Sequence, residues 1–446
     1  MNLTRPASHL RLLAAALLSI AAAGAAHAVP SFARQTGVDC ASCHITGFTE
    51  LTSFGRQFKL RGYSIGEAKL PLAVGAVVSR TSSRNADANG GDMSFTKDRQ
   101  VTLQRISLYL AGRIAEGAGA FVNANYDTAE ARGTMEMFDL RATRSVTLAG
   151  KELLLGATLN NNPTVSDIYN STPGFGFPHL AVPMVSVAMP NAQVQLDMTL
   201  ASRVAGVSAY GWWDNRVYAE FGGYRTADGM FSILRAGTPL SERVAIKSGA
   251  PYWRLAVERQ WDAHSLAVGT YGLIVDRFPD AGRPSGPTDR FRDLAVDVQY
   301  QYLTDEHRIS SGVTWIYENQ RWNASFDTTG VAGTRDAASG TLKTTKAHVS
   351  YFFRKTYGAS VGLLDIRGST DRRQFDTMMP VSGSAAGSPN TRALQLEASY
   401  LPIQNLRLGV QYTAYQKFNG ARTNYDGFGR AASANNVLYL WAWVLY

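Results

Sequence analysis

Polar and apolar residues alternate along most of the chain between residue 71 and the C-terminus. In the segment 120–126, for example, Asn123 and Asn125 alternate with small and apolar residues. The same alternation recurs at 153–159, 194–200, 253–258 and 394–399. Successive side chains of a β-strand point to opposite faces of the sheet. Each segment therefore presents one apolar and one polar face, which is typical of transmembrane β-strands.

The connections between these predicted strands alternate in length. Tight turns are predicted at 115–118, 149–150, 262–263, 304–306, 354–356 and 402–405. Long connections rich in Gly, Ser, Asn and Asp are predicted at 160–192, 276–292, 321–341, 368–390 and 419–434. Short turns on one side and long loops on the other are the arrangement of outer-membrane barrels. The sequence therefore predicts an all-β transmembrane antiparallel β-barrel of about 16 strands, and at most about 18, over residues 71–446.

Composition agrees with a membrane β-barrel and not with a helical membrane protein. Charged residues make up 18% of the chain and the mean hydropathy is −0.14, because an alternating strand averages polar and apolar positions. The last segment, 437–446, is rich in aromatic residues and ends on Tyr446. The net charge is +9, but the basic residues are spread along the strands, so nucleic-acid binding is not expected. A soluble array of β-sandwiches is the alternative fold.

The N-terminus has the pattern of a secretory signal peptide. Arg5 and Arg11 precede an apolar run at 12–26, and Ala-His-Ala at 26–28 forms a cleavage site. A transmembrane anchor is the alternative, but the apolar run is too short to span a bilayer. The signal peptide is therefore predicted at 1–28, and the mature chain begins near Val29.

The two cysteines of the chain lie in the sequence Cys40-Ala41-Ser42-Cys43-His44. The spacing C-x-x-C-H indicates covalent attachment of a c-type haem. Cys40 and Cys43 would each bond one haem vinyl group, and His44 would ligate the iron from the proximal side. A redox disulfide would need a βαβ context, and a zinc site would need a second pair of ligands. We therefore predict one covalent haem c per chain.

A small helical cytochrome module is predicted at 29–70. Phe48, Leu51, Phe54 and Phe58 follow helical spacing, and Gly62 is a plausible helix stop. This row could lie against the porphyrin or could be an ordinary amphipathic helix.

The module contains one histidine, His44, and no methionine. A distal protein ligand would have to come from beyond residue 70. The candidates are His179, in the longest predicted loop, and the five methionines Met93, Met135, Met137, Met184 and Met189. Methionine ligation would raise the reduction potential.

Other side chains are weaker candidates. Five carboxylates could contact Fe(II), because hard oxygen ligands suit this ion, or could simply pair with arginine in the lumen. They are Asp167, Asp197, Asp214, Glu220 and Glu258. Trp441 and Trp443 share one face of the last strand. They could be aromatic residues of the membrane interface or of the lumen, or they could relay electrons. His264, His307 and His348 are expected to be surface groups near the short turns. No Ser/His/Asp arrangement and no phosphate-binding glycine loop is present.

Three blocks of sequence resemble the monohaem iron-oxidase family, the outer-membrane cytochrome–porin fusions of iron-oxidising bacteria. The first runs from Pro30 to Gly37 and leads into the haem motif, and the second runs from Leu51 to Tyr63. The third spans 161–178 and contains Asn-Asn-Pro-Thr-Val and Gly-Phe-Pro. The remaining strands resemble the family only in pattern.

The resemblance implies a bacterial outer-membrane protein that oxidises extracellular Fe(II). Its haem, on the periplasmic side of the barrel or inside it, would pass electrons to a periplasmic c-type cytochrome or cupredoxin. The residues themselves leave two alternatives open. One is an electron conduit with a different donor, and the other is a diffusion porin in which the haem module is a plug or a sensor.

Overall fold

The computed structural model describes residues 30–45, 50–83, 100–128, 131–163, 168–169, 189–326, 334–375 and 380–446. Sixteen strands in these residues form a closed antiparallel barrel, in which each strand pairs with its sequence neighbours and the first pairs with the last. The strands are β1 Leu72–Ser83, β2 Val101–Ala115, β3 Ala118–Asp127, β4 Arg132–Leu148, β5 Lys151–Asn160, β6 Val204–Trp213, β7 Val217–Thr226, β8 Ala250–Trp261, β9 His264–Arg277, β10 Asp289–Leu303, β11 His307–Arg321, β12 Ser339–Phe353, β13 Tyr357–Gly368, β14 Thr391–Ile403, β15 Leu406–Lys417 and β16 Val437–Leu445. The predicted barrel of about 16 strands is confirmed.

The two faces of the barrel have the polarity of a membrane protein. On β10, Leu294 and Val296 point outward and are exposed, whereas Asp293 and Asp297 point inward and are buried. A soluble protein would show the reverse arrangement. An apolar outer surface around a polar interior is the surface of an outer-membrane β-barrel, because the closed sheet satisfies its backbone hydrogen bonds internally.

The two rims differ as the sequence predicts. The short turns include 116–117, 149–150, 262–263, 304–306 and 354–356, whereas the connections at 278–288, 322–338, 369–390 and 418–436 are long. In the turn between β4 and β5, Ala149 and Gly150 both have positive φ, 52° and 73°, as a two-residue hairpin of matching twist requires. The chain enters β1 and leaves β16 at the short-turn end.

Aromatic residues and two histidines form a belt on the outer surface near the short turns. The Trp261 and His264 rings stack with centroids 5.2 Å apart, and the His307 and Tyr351 rings stack at 6.1 Å. Amphipathic rings are enriched at the membrane–water interface. The prediction that His264 and His307 are surface groups near the short turns is confirmed.

In the described part of the chain before the barrel there are three short helices: α1 Pro30–Thr36, α2 Cys40–Cys43 and α3 Ser53–Leu60. A further helix, α4, Arg372–Phe375, lies in the connection after β13. Thr52 begins α3, since its hydroxyl accepts the Gly55 N–H at 3.1 Å. Gly62, at φ 65°, follows its end, as predicted for a helix stop. Within the described residues, no helix is long and apolar enough to cross a membrane.

The segment 194–200, predicted as a strand, is instead an irregular turn inside the barrel. It contains a single helical turn, Gln195–Thr199, in which Met198 has φ 72°. Val194, Leu196 and Leu200 are buried in an apolar cluster of the interior. The prediction was wrong because alternate burial, and not extended backbone, produces the period-two pattern here.

Candidate functional site

The haem motif forms one helical turn. The His44 N–H donates to the Cys40 carbonyl at 2.9 Å, which closes α2. Cys40 and Cys43 are three residues apart and therefore lie on one face of the helix. Neither forms a disulfide; Cys40 is buried and Cys43 is half-buried. Burial, together with the nearby Cys40 and Asp39, raises the pKa of the Cys43 thiol to about 12, so this thiol is neutral at physiological pH.

A glycine allows α3 to pack directly on this turn. A Cβ atom at Gly55 would lie 2.1 Å from the Cys43 carbonyl oxygen, a distance that backbone atoms cannot accommodate. The same carbonyl accepts the Thr52 N–H at 2.9 Å. Gly55 belongs to the second of the three resembling blocks, and the sequence alone indicates no role for it. Gly55 lies twelve residues after Cys43, and its lack of a side chain lets α3 hold the backbone of the motif in place.

The motif lies against the inner wall at the short-turn end. Arg308, at the start of β11, donates to the Ala41 carbonyl at 2.6 Å. The Lys355 ammonium in the next short turn is 3.7 Å from an Asp39 carboxylate oxygen. The Cys40 thiol donates to the Gln404 carbonyl at 3.7 Å, in the turn between β14 and β15. Three neighbouring parts of the rim thus contact the residues around Cys40.

Arg56 on α3 joins the module, defined here as residues 30–70, to the barrel. Its guanidinium makes a two-pronged ion pair with Glu258 of β8, at 2.6 and 3.1 Å, and both side chains are 1% exposed. It also donates to Ser265 on β9 and Gln299 on β10, at 3.0 and 3.3 Å. Bidentate arginine–carboxylate pairs are strong and geometrically specific. Glu258, a candidate iron contact in the sequence, is therefore a structural partner of the module.

Glu50 makes a second polar contact between the module and the wall. Its carboxylate accepts from Gln299 at 2.9 Å and from Ser310, and it lies 3.7 Å from the His348 Nε2 atom. Burial raises the pKa of Glu50, but the hydrogen bonds and charge of His348, with hydrogen bonds from Ser310 and Gln301, outweigh it, and the pKa is lowered overall. The expectation that His348 is a surface group was wrong. It lies on the inward face of β12, since Val349 and Tyr351, one and three positions after it, point outward.

The opposite side of the module packs on β2 to β4. The Tyr63 hydroxyl donates to Asp139 at 2.6 Å. The Phe58 ring lies 4.8 Å from Phe32 and 5.9 Å from Tyr63, centroid to centroid, in a cluster that includes Phe121 of the wall. Of the predicted apolar row, Phe58 therefore holds the module in place. Leu51 and Phe54 remain half-buried, and Phe48 lies outside the described residues.

The described distal-ligand candidates are not near the motif. Met135 and Met137 are on β4, whereas Cys40 contacts the turn after β14 and Asp39 the turn after β12. β4 and β12 are eight strands apart in a barrel of 16 and therefore lie on opposite walls. Met189 is 40% exposed, in a segment that contacts the long loops through Asn191. His179, Met93 and Met184 lie outside the described residues.

The other carboxylate candidates are dispersed. Asp197 pairs with Lys346 of β12 at 2.7 Å. Asp214, in a short turn, lies 3.4 Å from Lys151, and Glu220 accepts the Tyr218 hydroxyl at 2.7 Å. Asp167 lies outside the described residues. Among the residues described, no group of three or more His, Cys, Asp or Glu side chains could hold a metal ion.

The inner wall beside Cys40 carries buried N–H donors. Arg407 of β15 is completely buried and contacts the ring of Trp441, whose inward position agrees with a lumen aromatic. Two guanidinium nitrogens of Arg407 and the Trp441 indole nitrogen have no acceptor among the described residues. Two thiols on one helical face, an adjacent imidazole and an excess of donors on the facing wall suit a covalently attached haem with its carboxylates.

Comparison with solved structures finds porin barrels. The Salmonella typhi OmpF complex with daunomycin aligns with a TM-score of 0.45 and 12% identity, over 85% of this chain and 98% of that one. OmpT, an outer membrane protein of Vibrio cholerae, aligns with a TM-score of 0.43 and 10% identity, over 84% and 96%. A porin refined at 1.8 Å resolution aligns with a TM-score of 0.38 and 13% identity, over 85% and 100%. No protein-family model and no curated protein matches the sequence.

Proposed function

We propose that this porin-like outer-membrane barrel is a monohaem cytochrome–porin that oxidises extracellular Fe(II) and passes the electrons to a periplasmic carrier. The observation that carries the proposal is the position of Cys40-Ala41-Ser42-Cys43-His44. The motif belongs to a module held within the lumen, against the wall of the short-turn end. The identity of the electron donor rests on the resemblance of three sequence blocks to the iron-oxidase family.

A haem bound here supplies a one-electron acceptor and donor inside the barrel. Cys40 and Cys43 would hold it covalently, and His44 would bind its iron from the proximal side. The polar contacts of Arg56 and Glu50 fix the module relative to the wall.

The two rims suit different partners. The short-turn end, which carries both chain ends of the barrel, is the periplasmic side in outer-membrane barrels. A soluble c-type cytochrome or cupredoxin would therefore approach the end that contains the module. Fe(II), as substrate, would approach the long-loop end, so that insoluble Fe(III) forms outside the cell. The module and the inward-folded segment 189–203 both fill the lumen, which favours electron transfer over free diffusion of solutes.

Anaerobic stopped-flow spectroscopy on the haem-loaded protein tests the proposal. Fe(II) should reduce the ferric haem without an added carrier, to the same extent as dithionite. The Cys43→Ala variant should lose covalent haem, measured by intact mass and by haem staining after denaturing electrophoresis. Reduction by dithionite but not by Fe(II) would favour a conduit with a different donor. A wild-type chain with no covalent haem, and with measurable solute flux in liposomes, would favour the diffusion porin.

A further inference from the structure

Buried N–H donors without acceptors are concentrated on the inner wall of β15 and β16. They are Nε and Nη1 of Arg407, Nε1 of Trp441 and Nε2 of Gln404. Arg407 is 0% exposed and Trp441 is 6% exposed. A buried donor left unpaired costs about 1–3 kcal/mol, and more when it is charged. Four such donors in one place therefore indicate a partner that the chain itself does not supply.

The orientation of Arg407 is fixed by its neighbours. Its guanidinium lies 5.3 Å from the Trp441 ring centroid and 6.0 Å from that of Phe352. Nη2 donates to Glu397 at 3.2 Å and to Ser399 at 3.3 Å. These contacts use one nitrogen and leave the two others to a further acceptor. Because guanidinium groups bind planar carboxylates through two parallel hydrogen bonds, a carboxylate is the chemistry that suits this group.

Trp441 is also held in one position. A Cβ atom at Gly409 would lie 2.3 Å from the indole Cε2 and 2.7 Å from Nε1. The glycine thus lets the indole lie flat against the strand, with its N–H in the same region as Arg407. A side chain at this position would displace the ring. The arrangement is a built site of fixed donors and not a flexible surface charge.

This site adjoins the haem motif. The Cys40 thiol donates to the Gln404 carbonyl at 3.7 Å, and Gln404, in the turn that leads into β15, precedes Arg407 by three residues. A haem carries two propionate carboxylates on its periphery. We propose that Arg407, Trp441 and Gln404 form the site that binds the propionates of a haem attached to Cys40 and Cys43. This inference rests on the proposed function, since it requires the haem.

The first test compares Arg407→Gln with Arg254→Gln. Arg254, on β8, is equally buried and pairs with one carboxylate, that of Asp297, at 2.9 Å, but it lies on the opposite wall from β15. In Arg407→Gln, the haem midpoint potential should fall, because a positive charge is lost and Glu397 is left unbalanced, both of which favour Fe(III). Arg407→Lys should lower it less, and Arg254→Gln should leave it unchanged.

The second test monitors the propionates directly. The propionate-bending bands of the resonance Raman spectrum should shift in Arg407→Gln and also in Trp441→Phe, which removes one N–H and no charge. If Arg407→Gln does not assemble a heat-modifiable barrel, Arg407→Lys and Trp441→Phe provide both readouts.

The outcomes separate the two proposals. Covalent haem in the wild type, with potential and Raman bands unchanged in every variant, would overturn the propionate site and leave the haem assignment intact. Equal shifts in Arg407→Gln and Arg254→Gln would also overturn it, because the effect would not be local. Absence of covalent haem from the wild type would contradict the proposed function itself, and the propionate site with it.

Discussion

Two segments fold into the lumen, and the barrel holds them by different means. The module at the short-turn end is held by its side chains: Arg56 pairs with Glu258, and Glu50 binds Gln299. The segment 189–203, which we call the inserted loop, is held by backbone hydrogen bonds as well as by side chains. The Gln195 N–H donates to Glu318 and the Leu196 N–H donates to Asp293, each at 2.8 Å. Any residue type supplies a backbone N–H, so these two contacts, unlike those of Arg56 and Glu50, do not depend on the side chain at the position.

The module and the inserted loop should therefore respond differently to substitution. Substitutions in the module remove the groups that the wall recognises and should release it. Substitutions in the inserted loop should leave its two backbone hydrogen bonds in place and should act where they change a buried apolar residue, such as Leu196, or a side-chain contact, such as that of Asp197 with Lys346. The four predictions that follow run from the largest expected effect to the smallest.

The Arg56→Leu variant should release α3 from the wall. Glu258 would keep its charge at 1% exposure with its main partner removed, and breaking a buried ion pair in this way costs about 3–5 kcal/mol. Native-state hydrogen exchange should show this loss in the opening free energy of residues 53–63, with the barrel strands retaining their protection. Unchanged protection of α3 would mean that Arg56 does not hold the module.

The Lys346→Met variant should loosen the inserted loop by a smaller amount. Asp197 is 8% exposed and would lose its cation; the loop can move to hydrate it, which limits the cost to about 1–3 kcal/mol. Limited trypsin digestion should cleave faster after Arg203. Lys343→Met is the matched control, since Lys343 lies on the same strand and is exposed on the outer face. Equal cleavage rates in the two variants would contradict the proposed role of the Asp197–Lys346 pair.

Acidification should weaken the attachment of the module to the wall through Glu50. The pKa of Glu50 is lowered in the folded state, so its contribution is present above the ordinary glutamate pKa of about 4.3. The contribution is lost as the pH falls through the lowered folded value. Hydrogen exchange of residues 50–52 between pH 3 and pH 6 should show this dependence. Glu50→Gln should be less stable at pH 6 and should lack the Glu50 component of the pH dependence.

The Arg61→Leu variant should have the smallest effect. Arg61 pairs with Glu152 at 2.8 Å, but the two side chains are 30% and 37% exposed, and such pairs contribute about 0–1 kcal/mol. The small loss should disappear in high salt. A loss as large as that of Arg56→Leu would show that burial does not explain the difference between the two arginines.

The sequence predicts the wall better than the contents of the lumen. A strand that separates lipid from a polar interior has a period of two, so segments such as 253–258 and 394–399 were recognised correctly. The same period led to the wrong prediction of a strand at 194–200, where a turn among interior side chains buries alternate residues without a neighbouring strand. Strand parity could have placed His348 inside, since it alternates with Val349 and Tyr351. The sequence cannot show that Glu258 meets Arg56, because that contact joins residues 202 positions apart.

The spacing of Cys40, Cys43 and His44 predicts a haem motif, but the sequence does not reveal the wall that faces it. Arg407 and Trp441 are separated by 34 positions in the chain and meet only because β15 pairs with β16, with Gly409 opposite Trp441. Nothing local distinguishes Arg407 from other inward arginines. Its distinguishing property is its position: it contacts the Trp441 ring and follows the turn whose Gln404 carbonyl accepts the Cys40 thiol, and both depend on the whole fold.

The pairing of β1 with β16 sets an order of events during biogenesis. The module directly precedes β1, and its contacts reach strands from both halves of the chain. Once the first and last strands pair, the sheet has no lateral opening through which a folded helical segment could enter. Under the proposed function, formation of the thioether bonds before the first and last strands pair would avoid the need to open the closed barrel. Loss of the attachment machinery would then yield sealed, colourless barrels that later addition of haem cannot rescue.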